Sequence, residues 1–383
     1  MIYLDNAATT FPKPTSVVRA AANACLTYGA NPGRGGHKIS ARAGEEVYLC
    51  REKLASMFSC NVERTVFTLN CTHSLNTAIK GVLKRGDHAI TSSLEHNSVL
   101  RPLEFLKQNG IIGYDVAEVD PQNEEITVRN FEKLINPRTK MIICTYASNV
   151  FGTVLPIKKL AALCKKRGLI FAVDCAQSAG IFKVDMENDG IDIVCAPGHK
   201  GLFGLMGTGV LMFSKDVEIR SLLQGGTGSL SLQKSQPKLY PDALESGTVN
   251  LPGIVGLSAG LDFIRSVGGE TAVHQKETHL MELLKEEVHA VKNVTVYDDM
   301  HGEIFAPALS LSVDGMHSEQ AAELLDEMNI AVRAGYHCSY LAHTSRNTTK
   351  NGTVRVSPSF FNSEKDIKFF AFCLNKIAIG GKI

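Results

Sequence analysis

Apolar residues along this chain fall into short runs separated by longer stretches of helical spacing. The runs Thr65–Leu69, His88–Thr91, Gly113–Val119, Met141–Tyr146, Leu169–Val173, Ile191–Cys195 and Gly209–Phe213 read as strands. Residues 16–28 and 41–58 carry helical periodicity, and Asn130–Ile135 and Ile157–Arg167 are helical segments between runs. This alternation predicts an α/β fold: a mainly parallel sheet with helices on both faces. Ligands in such sheets bind outside the carboxyl ends of the strands, so polar residues just past each run are the ones to weigh.

The pattern changes after two turn-rich stretches, Gly225–Ser231 and Gly247–Gly256. A long helical stretch runs from Ile254 toward Val291, followed by two strand-like pieces, NVTVYDD (293–299) and ALSLSV (308–313). Helices at Ser318–Met328 and Glu364–Ile379 follow. The expectation is a large domain over 1–256 and a smaller α+β domain over 257–383, with the extreme N-terminus a candidate to pack on the smaller one.

Composition narrows the function classes. The 383 residues are 44% hydrophobic and 21% charged, as in ordinary globular proteins. Forty basic residues balance thirty-nine acidic ones, and no basic stripe offers a surface for nucleic acid. The opening MIYLDNAATTFPKP has neither a charged leader nor an apolar segment and does not read as a signal peptide. No apolar run is long enough to span a membrane, and the expected location is the cytoplasm. Ten cysteines include no CxxC pair, so no metal site is expected. Most of them sit in apolar contexts and read as small core residues, with Cys338 the exception.

The run Val194–Gly207 (VCAPGHKGLFGLMG) places Lys200 where an apolar strand meets a glycine-rich turn. Burial there lets an amine lose its proton and attack an aldehyde carbon; a surface lysine opening a loop is the plainer reading. Upstream, LIFAVDCAQ ends another strand with Asp174 and Gln177. A carboxylate and an amine at neighbouring strand ends are what pyridoxal phosphate requires, the acid pairing with its ring nitrogen. Asn149 (SNVFG) and His96 (SLEHNS) also follow strands; each reads as a cofactor contact or as an ordinary structural residue. Thr72-His73-Ser74, before a helix, and Gly225–Gly228 each offer backbone N–H groups to a phosphate, or are simple turns. Neither matches a nucleotide fingerprint. Cys338 (RAGYHCS) lies in loop-like sequence with Arg333 and His337 nearby to favour thiolate, and reads as a nucleophile on a mobile loop or as an incidental cysteine. Arg355, on the apolar strand TVRVSPSFFN, must be paired, either with a substrate carboxylate or in a structural salt bridge.

The order of these segments resembles the class V aminotransferase family of pyridoxal phosphate enzymes, in its cysteine desulfurase and selenocysteine lyase (SufS-like) branch. The resemblance runs from YLDNAATT (3–10) and the glycine-arginine-histidine loop (33–37) through FTLNCTHSLN (67–76), SLEHNS, SNVFGT, VDCAQ and GHK (198–200). It continues through ESGTVN (245–250) and RAGYHC to VRVSPSFFN (354–362). It implies the aspartate aminotransferase-like fold, called fold type I, and a homodimer with shared active sites.

Carried over residue by residue, the resemblance implies that Lys200 holds the cofactor and moves protons, that Asp174 pairs with the ring nitrogen, and that His96 stacks on the ring. Gln177 and Asn149 would contact the ring hydroxyl side. Thr72, His73 and His199 would bind phosphate, joined by Thr248 of a second subunit. Arg355, with Asn149 and His37, would hold the substrate, and Cys338 would take sulfur as a persulfide for transfer to an acceptor protein. Pro197 replaces a serine usual in the family, removing one hydroxyl from the phosphate site, and the segment 339–354 has no reading. The expected activity is conversion of L-cysteine to L-alanine. Selenocysteine lyase, a β-eliminating C–S lyase and a non-catalytic scaffold are the alternatives.

Overall fold

The computed structural model describes residues 1–33, 35–298 and 305–380. Arg34 of the loop at 33–37, Asp299 of NVTVYDD and the last three residues of the 257–383 span therefore lie outside the described residues.

The chain opens with a short strand, β1 (Ile2–Tyr3), and two helices, α1 (Thr15–Thr27) and α2 (Lys38–Phe58). Strands and helices then alternate: β2 (Thr65–Thr68), α3 (Cys71–Val82), β3 (His88–Ser92), α4 (Asn97–Gln108), β4 (Gly113–Ala117) and α5 (Glu124–Leu134). They continue as β5 (Thr139–Thr145), α6 (Ile157–Arg167), β6 (Ile170–Asp174), α7 (Met186–Asp189), β7 (Ile193–Pro197) and β8 (Gly209–Phe213). Side-chain caps start many of these helices. Asn70 Oδ1 accepts from His73 N–H at 2.9 Å at the head of α3, and Asn123 caps α5, which begins at Glu124, six residues before the helix expected at Asn130.

The seven strands pair in the order β2-β8-β7-β6-β5-β3-β4. All pairs from β7 to β4 are parallel, and β8 alone runs antiparallel, between β2 and β7. Both sheet faces are buried, which is why the strands read as continuous apolar runs. Alternate residues feed two cores: Ile142, Cys144, Phe171, Val173 and Val194 enter one, Met141, Ile143, Ala172, Ile193 and Cys195 the other.

The expected helix from Ile254 to Val291 is two helices, α8 (Leu251–Ser266) and α9 (Gly269–His289). The break falls at Gly268 and at Gly269, the first residue of α9, whose φ of 108° and 80° lie in the left-handed region that interrupts a right-handed helix. The second half of the turn-rich Gly247–Gly256 stretch is helix, with Asn250 as its cap. Residue 256 thus falls inside α8, and Leu257, Leu261 and Ile264 beyond it share the large sheet's core with Ile254 and Val255.

Next come β9 (Val294–Tyr297), β10 (Leu309–Val313), α10 (Ser318–Glu327), β11 (Ile330–Ala331), β12 (Arg333–Gly335), α11 (Tyr340–Ser345), β13 (Thr353–Val356) and α12 (Glu364–Ala378). β12, β13, β10 and β9 form an antiparallel sheet in that order. A third core joins it to α9, α10 and α12 and takes in Leu4. The N-terminus reaches this part of the molecule: β1 pairs with β11, and Asp5 bridges to Ser357. Among the described residues no helix is long and apolar enough to cross a membrane, and no cluster of three or more His, Cys, Asp or Glu side chains forms a metal site.

Candidate active site

Because β3, β5, β6 and β7 are parallel, their carboxyl ends meet at one edge of the sheet. A cavity of about 220 Å³ opens there. Lys200, Asp174, His96, His199, Asn149 and Gln177 all line it, together with Thr72 and Arg355. These eight are separated by up to 283 positions in sequence (355 − 72), and the strand ends bring them together.

The Lys200 turn is pressed tightly against its neighbours. A Cβ on Gly201 would lie 2.4 Å from Ala179 O, so only glycine lets the chain fold back at this point. The N-terminal segment grips the turn from outside. His199 O accepts from Thr10 N–H (3.2 Å), the Thr9 and Thr10 hydroxyls (both 3.1 Å) and Lys13 Nζ (2.5 Å), while Lys200 O accepts from Thr10 Oγ1 at 2.6 Å. Enclosure in the cavity, with the Arg355 charge nearby, pushes the Lys200 amine down to about 8. About a tenth of such amines are uncharged at pH 7, against roughly one in three thousand for an ordinary lysine.

Asp174, the last residue of β6, is buried and accepts from Ala176 N–H at 2.9 Å and from the Cys71 thiol at 3.4 Å. Burial pushes its carboxyl up, while those two donors and the Lys200 charge pull it back. His96 caps α4, accepting at Nδ1 from Ser98 N–H, and burial beside Lys200 pushes it down to about 4, so its ring is neutral. His199 is likewise pushed down to about 4, and its buried Nδ1 has no partner among the described residues. Gln177 donates to Ala7 O at 3.0 Å.

Arg355 is fully buried in β13. Its Nη2 donates to Asp5 Oδ1 at 2.6 Å and its Nη1 to Asn149 O at 3.0 Å, while Nε has no partner among the described residues. The structural salt bridge is therefore present, and these two bonds use only two of the five guanidinium N–H groups.

The loop that carries Cys338 differs from the mobile, electropositive segment expected. Cys338 is exposed, but its backbone is held: its carbonyl accepts from Asn97 N–H at 2.7 Å, and Asn149 Nδ2 donates to His337 O at 2.8 Å. His337 is buried and pushed down to about 2, so it is neutral and gives the thiol no positive charge. Arg333 lines the cavity instead. The uninterpreted segment 339–354 supplies α11 and the start of β13, with buried His343 bonded to Thr348 Oγ1 at 2.7 Å.

Three expected residues lie elsewhere. His73 and Thr248 share a separate cavity of about 100 Å³, and exposed His37 caps α2, accepting from Ser40 N–H. Asp5, Thr10, Lys13 and Ser98 are site residues that the sequence reading missed. Asp5, Thr10 and Lys13 stand in the quoted N-terminal run, but nothing local tells that it folds back over Lys200. Ser98 lines the cavity and places a hydroxyl 2.7 Å from that of Thr72, near where Pro197 removes one.

A large mixed sheet with a half-buried lysine at its carboxyl edge defines a class of protein, and comparison identifies it. The model of the class-V aminotransferase family matches residues 2–370, and the chain belongs to that family. Among relatives, probable cysteine desulfurases of Methanothermobacter thermautotrophicus and Pyrococcus abyssi are 32% and 31% identical over 98% of this chain and 94% of their own lengths. The apo structure of a cysteine desulfurase from Thermococcus onnurineus matches with a TM-score of 0.92 at 31% identity, covering 99% of this chain and 95% of that one. The Escherichia coli cysteine desulfurase CsdA, in an S-sulfonic acid form, matches with a TM-score of 0.87 at 25% identity, covering 99% and 94%. The fold and family expected from the segment order are those found.

Proposed function

We propose that this chain is a pyridoxal-phosphate-dependent cysteine desulfurase, in which L-cysteine and the Cys338 thiol give L-alanine and a persulfide on Cys338. The observation that carries the reading is a single cavity that gathers Lys200, Asp174 and Arg355 beside the loop bearing an exposed thiol. The sulfur atom passes from the substrate carbon to Cys338 Sγ, the thiol protons remain with the two products, and no outside oxidant is required.

The residues fit the cofactor. Lys200 Nζ would hold it, Asp174 would face its ring nitrogen, and the neutral His96 ring would lie against it. The unpartnered His199 Nδ1, the Thr72 and Ser98 hydroxyls and the head of α3 suit its phosphate. Gln177 and Asn149, which line the same cavity, would contact its hydroxyl side. When bound, pyridoxal phosphate supplies an electron sink for the α-carbon of the amino acid. Lys200 Nζ, easily deprotonated, takes the α-proton and returns it, and the Arg355 guanidinium, which lines the cavity with N–H groups to spare, would hold the substrate carboxylate. Thr248, outside the cavity, would act at the phosphate site of a second subunit in a homodimer, and His73 and His37, also outside it, would have to act from a second subunit in the same way. An acceptor protein would then take sulfur from Cys338, whose side chain faces solvent.

The test is incubation of the holoenzyme with L-cysteine and a thiol reductant, with alanine, pyruvate and sulfide quantified. Alanine equal to sulfide, lost by at least about a hundredfold in Cys338→Ala, is the expected result. Pyruvate in place of alanine would make the protein a β-eliminating lyase, and turnover of selenocysteine alone would make it a selenocysteine lyase.

A further inference from the structure

His337 and Cys338 occupy left-handed backbone at φ of 48° and 57°, two successive non-glycine residues in a conformation that persists only where surrounding contacts overdetermine it. Those contacts are on both sides of the cysteine. Asn149 Nδ2 donates to His337 O at 2.8 Å, and Ser339 Oγ donates to Asn149 Oδ1 at 2.7 Å. One amide thus grips the chain before and after Cys338. Asn149 O in turn accepts from Arg355 Nη1 at 3.0 Å. Arg355, Asn149 and Ser339 form a continuous hydrogen-bonded chain at 1%, 8% and 0% exposure, while Cys338 beside it is open to solvent. Ser339 does not line the cavity, so its hydroxyl has this one visible task.

We propose that Ser339 is a positioning residue for sulfur transfer: through Asn149 it ties the Cys338 loop to the arm of the site that carries Arg355. The loop is thereby held at the cavity before substrate arrives, and occupation of Arg355 by a carboxylate is felt at the thiol through two hydrogen bonds. In a buried network the loss of one donor leaves an unpaired acceptor, so the grip is weakened by the loss of a single hydroxyl. The inference rests on Cys338 as the sulfur-accepting thiol.

The experiment is site-resolved alkylation of the holoenzyme with iodoacetamide in the absence of cysteine, read by peptide mass spectrometry. Exposed Cys25 serves as the internal reference, and buried Cys50, Cys144 and Cys373 report on global loosening. Ser339→Ala is expected to speed Cys338 alkylation about five- to tenfold relative to Cys25, with the buried cysteines unchanged. Ser339→Thr, which keeps the hydroxyl, is expected to stay within twofold of the parent. In turnover, Ser339→Ala lowers kcat while KM for cysteine stays within about twofold. A Cys338 rate unchanged in Ser339→Ala overturns the proposal, as does Ser339→Thr reacting as fast as Ser339→Ala. Faster reaction at the buried cysteines as well would make Ser339 a general structural residue and also overturns it. The alkylation ratio reads the hold on the loop whether or not sulfur moves, whereas full desulfurase turnover by Cys338→Ala would sink the proposed function and with it the sulfur-transfer role of Ser339, leaving only the restraint on the loop.

Discussion

Lys200 is where burial changes chemistry most directly. Folded, its amine gives up its proton near 8; unfolded, it does so near the ordinary 10.5. Between those values the unfolded chain binds more protons, so the cost of burying this amine is fully present below pH 8 and disappears as pH rises toward 10.5. Lys200→Met removes the charge at similar volume. The cofactor-free variant is expected to be more stable than its parent by about 2 kcal/mol at pH 7, allowing for water that reaches the amine through the cavity, and by less than about 1 kcal/mol at pH 10. Urea unfolding of both proteins at the two pH values checks this; a gap that widens with pH would show that Lys200 is not the source. The residue itself was legible because a lysine between an apolar strand and a run of glycines is out of place chemically. Thr10 and Lys13, which fix the backbone beneath it, were not. A threonine and a lysine near a chain terminus are ordinary, and only the folded chain brings them to a carbonyl 189 and 186 positions away.

Elements with strong periodicity were read closely from sequence, and those defined by a single break or by one long-range pair were not. Ile157–Arg167 is a helix to the residue, because its apolar face repeats regularly and Gly168 ends it at φ of 65°. The α8–α9 boundary was missed because both helices keep an apolar stripe across it, and only the backbone of two glycines separates them. β1 is the opposite case. Two residues of parallel pairing hold little by themselves, and the strand is anchored by the Asp5–Arg355 pair just beyond it. Asp5→Asn leaves a guanidinium buried without its counter-charge and is expected to cost about 3 kcal/mol, the bottom of the range for buried pairs since Asp5 keeps some contact with solvent. Chemical denaturation measures it; a loss below about 0.5 kcal/mol would mean that Asn149 and neighbouring carbonyls suffice for Arg355.

At the scale of the whole molecule, contacts join the two larger of its sheets. Glu277 of α9 accepts from Phe360 N–H at 3.1 Å, and Phe360 and Phe361 pack against Phe263 of α8, with Phe361 also meeting Phe203 beside the Lys200 turn. Glu277 is buried with one carboxyl oxygen unpartnered among the described residues, and burial pushes it up to about 8. The folded form therefore keeps a proton that the unfolded chain loses near 4.5, and stability falls as pH rises from about 5 to 8. Glu277→Gln is expected to raise stability by about 2 kcal/mol at pH 7.5 and to leave it nearly unchanged at pH 5, read from thermal unfolding at both. Equal gains at both values would place the effect in packing and not in the proton.

Local composition determined what could be determined locally. Apolar runs named the strands, their polar followers marked Lys200, Asp174, His96 and Asn149 as candidates, which meet because strand ends in a parallel sheet are forced to one edge, and the resemblance in segment order named the family. Tertiary structure alone decided that β8 turns antiparallel, that His337 is a neutral buried ring, that Cys338 stands on a held backbone, and which residue answers the charge of Arg355. Each of those depends on hydrogen bonds or burial between segments far apart in the chain, such as Asn149 with Ser339 and Asp5 with Arg355. Sequence spacing carries no trace of such pairs until the core has closed around them.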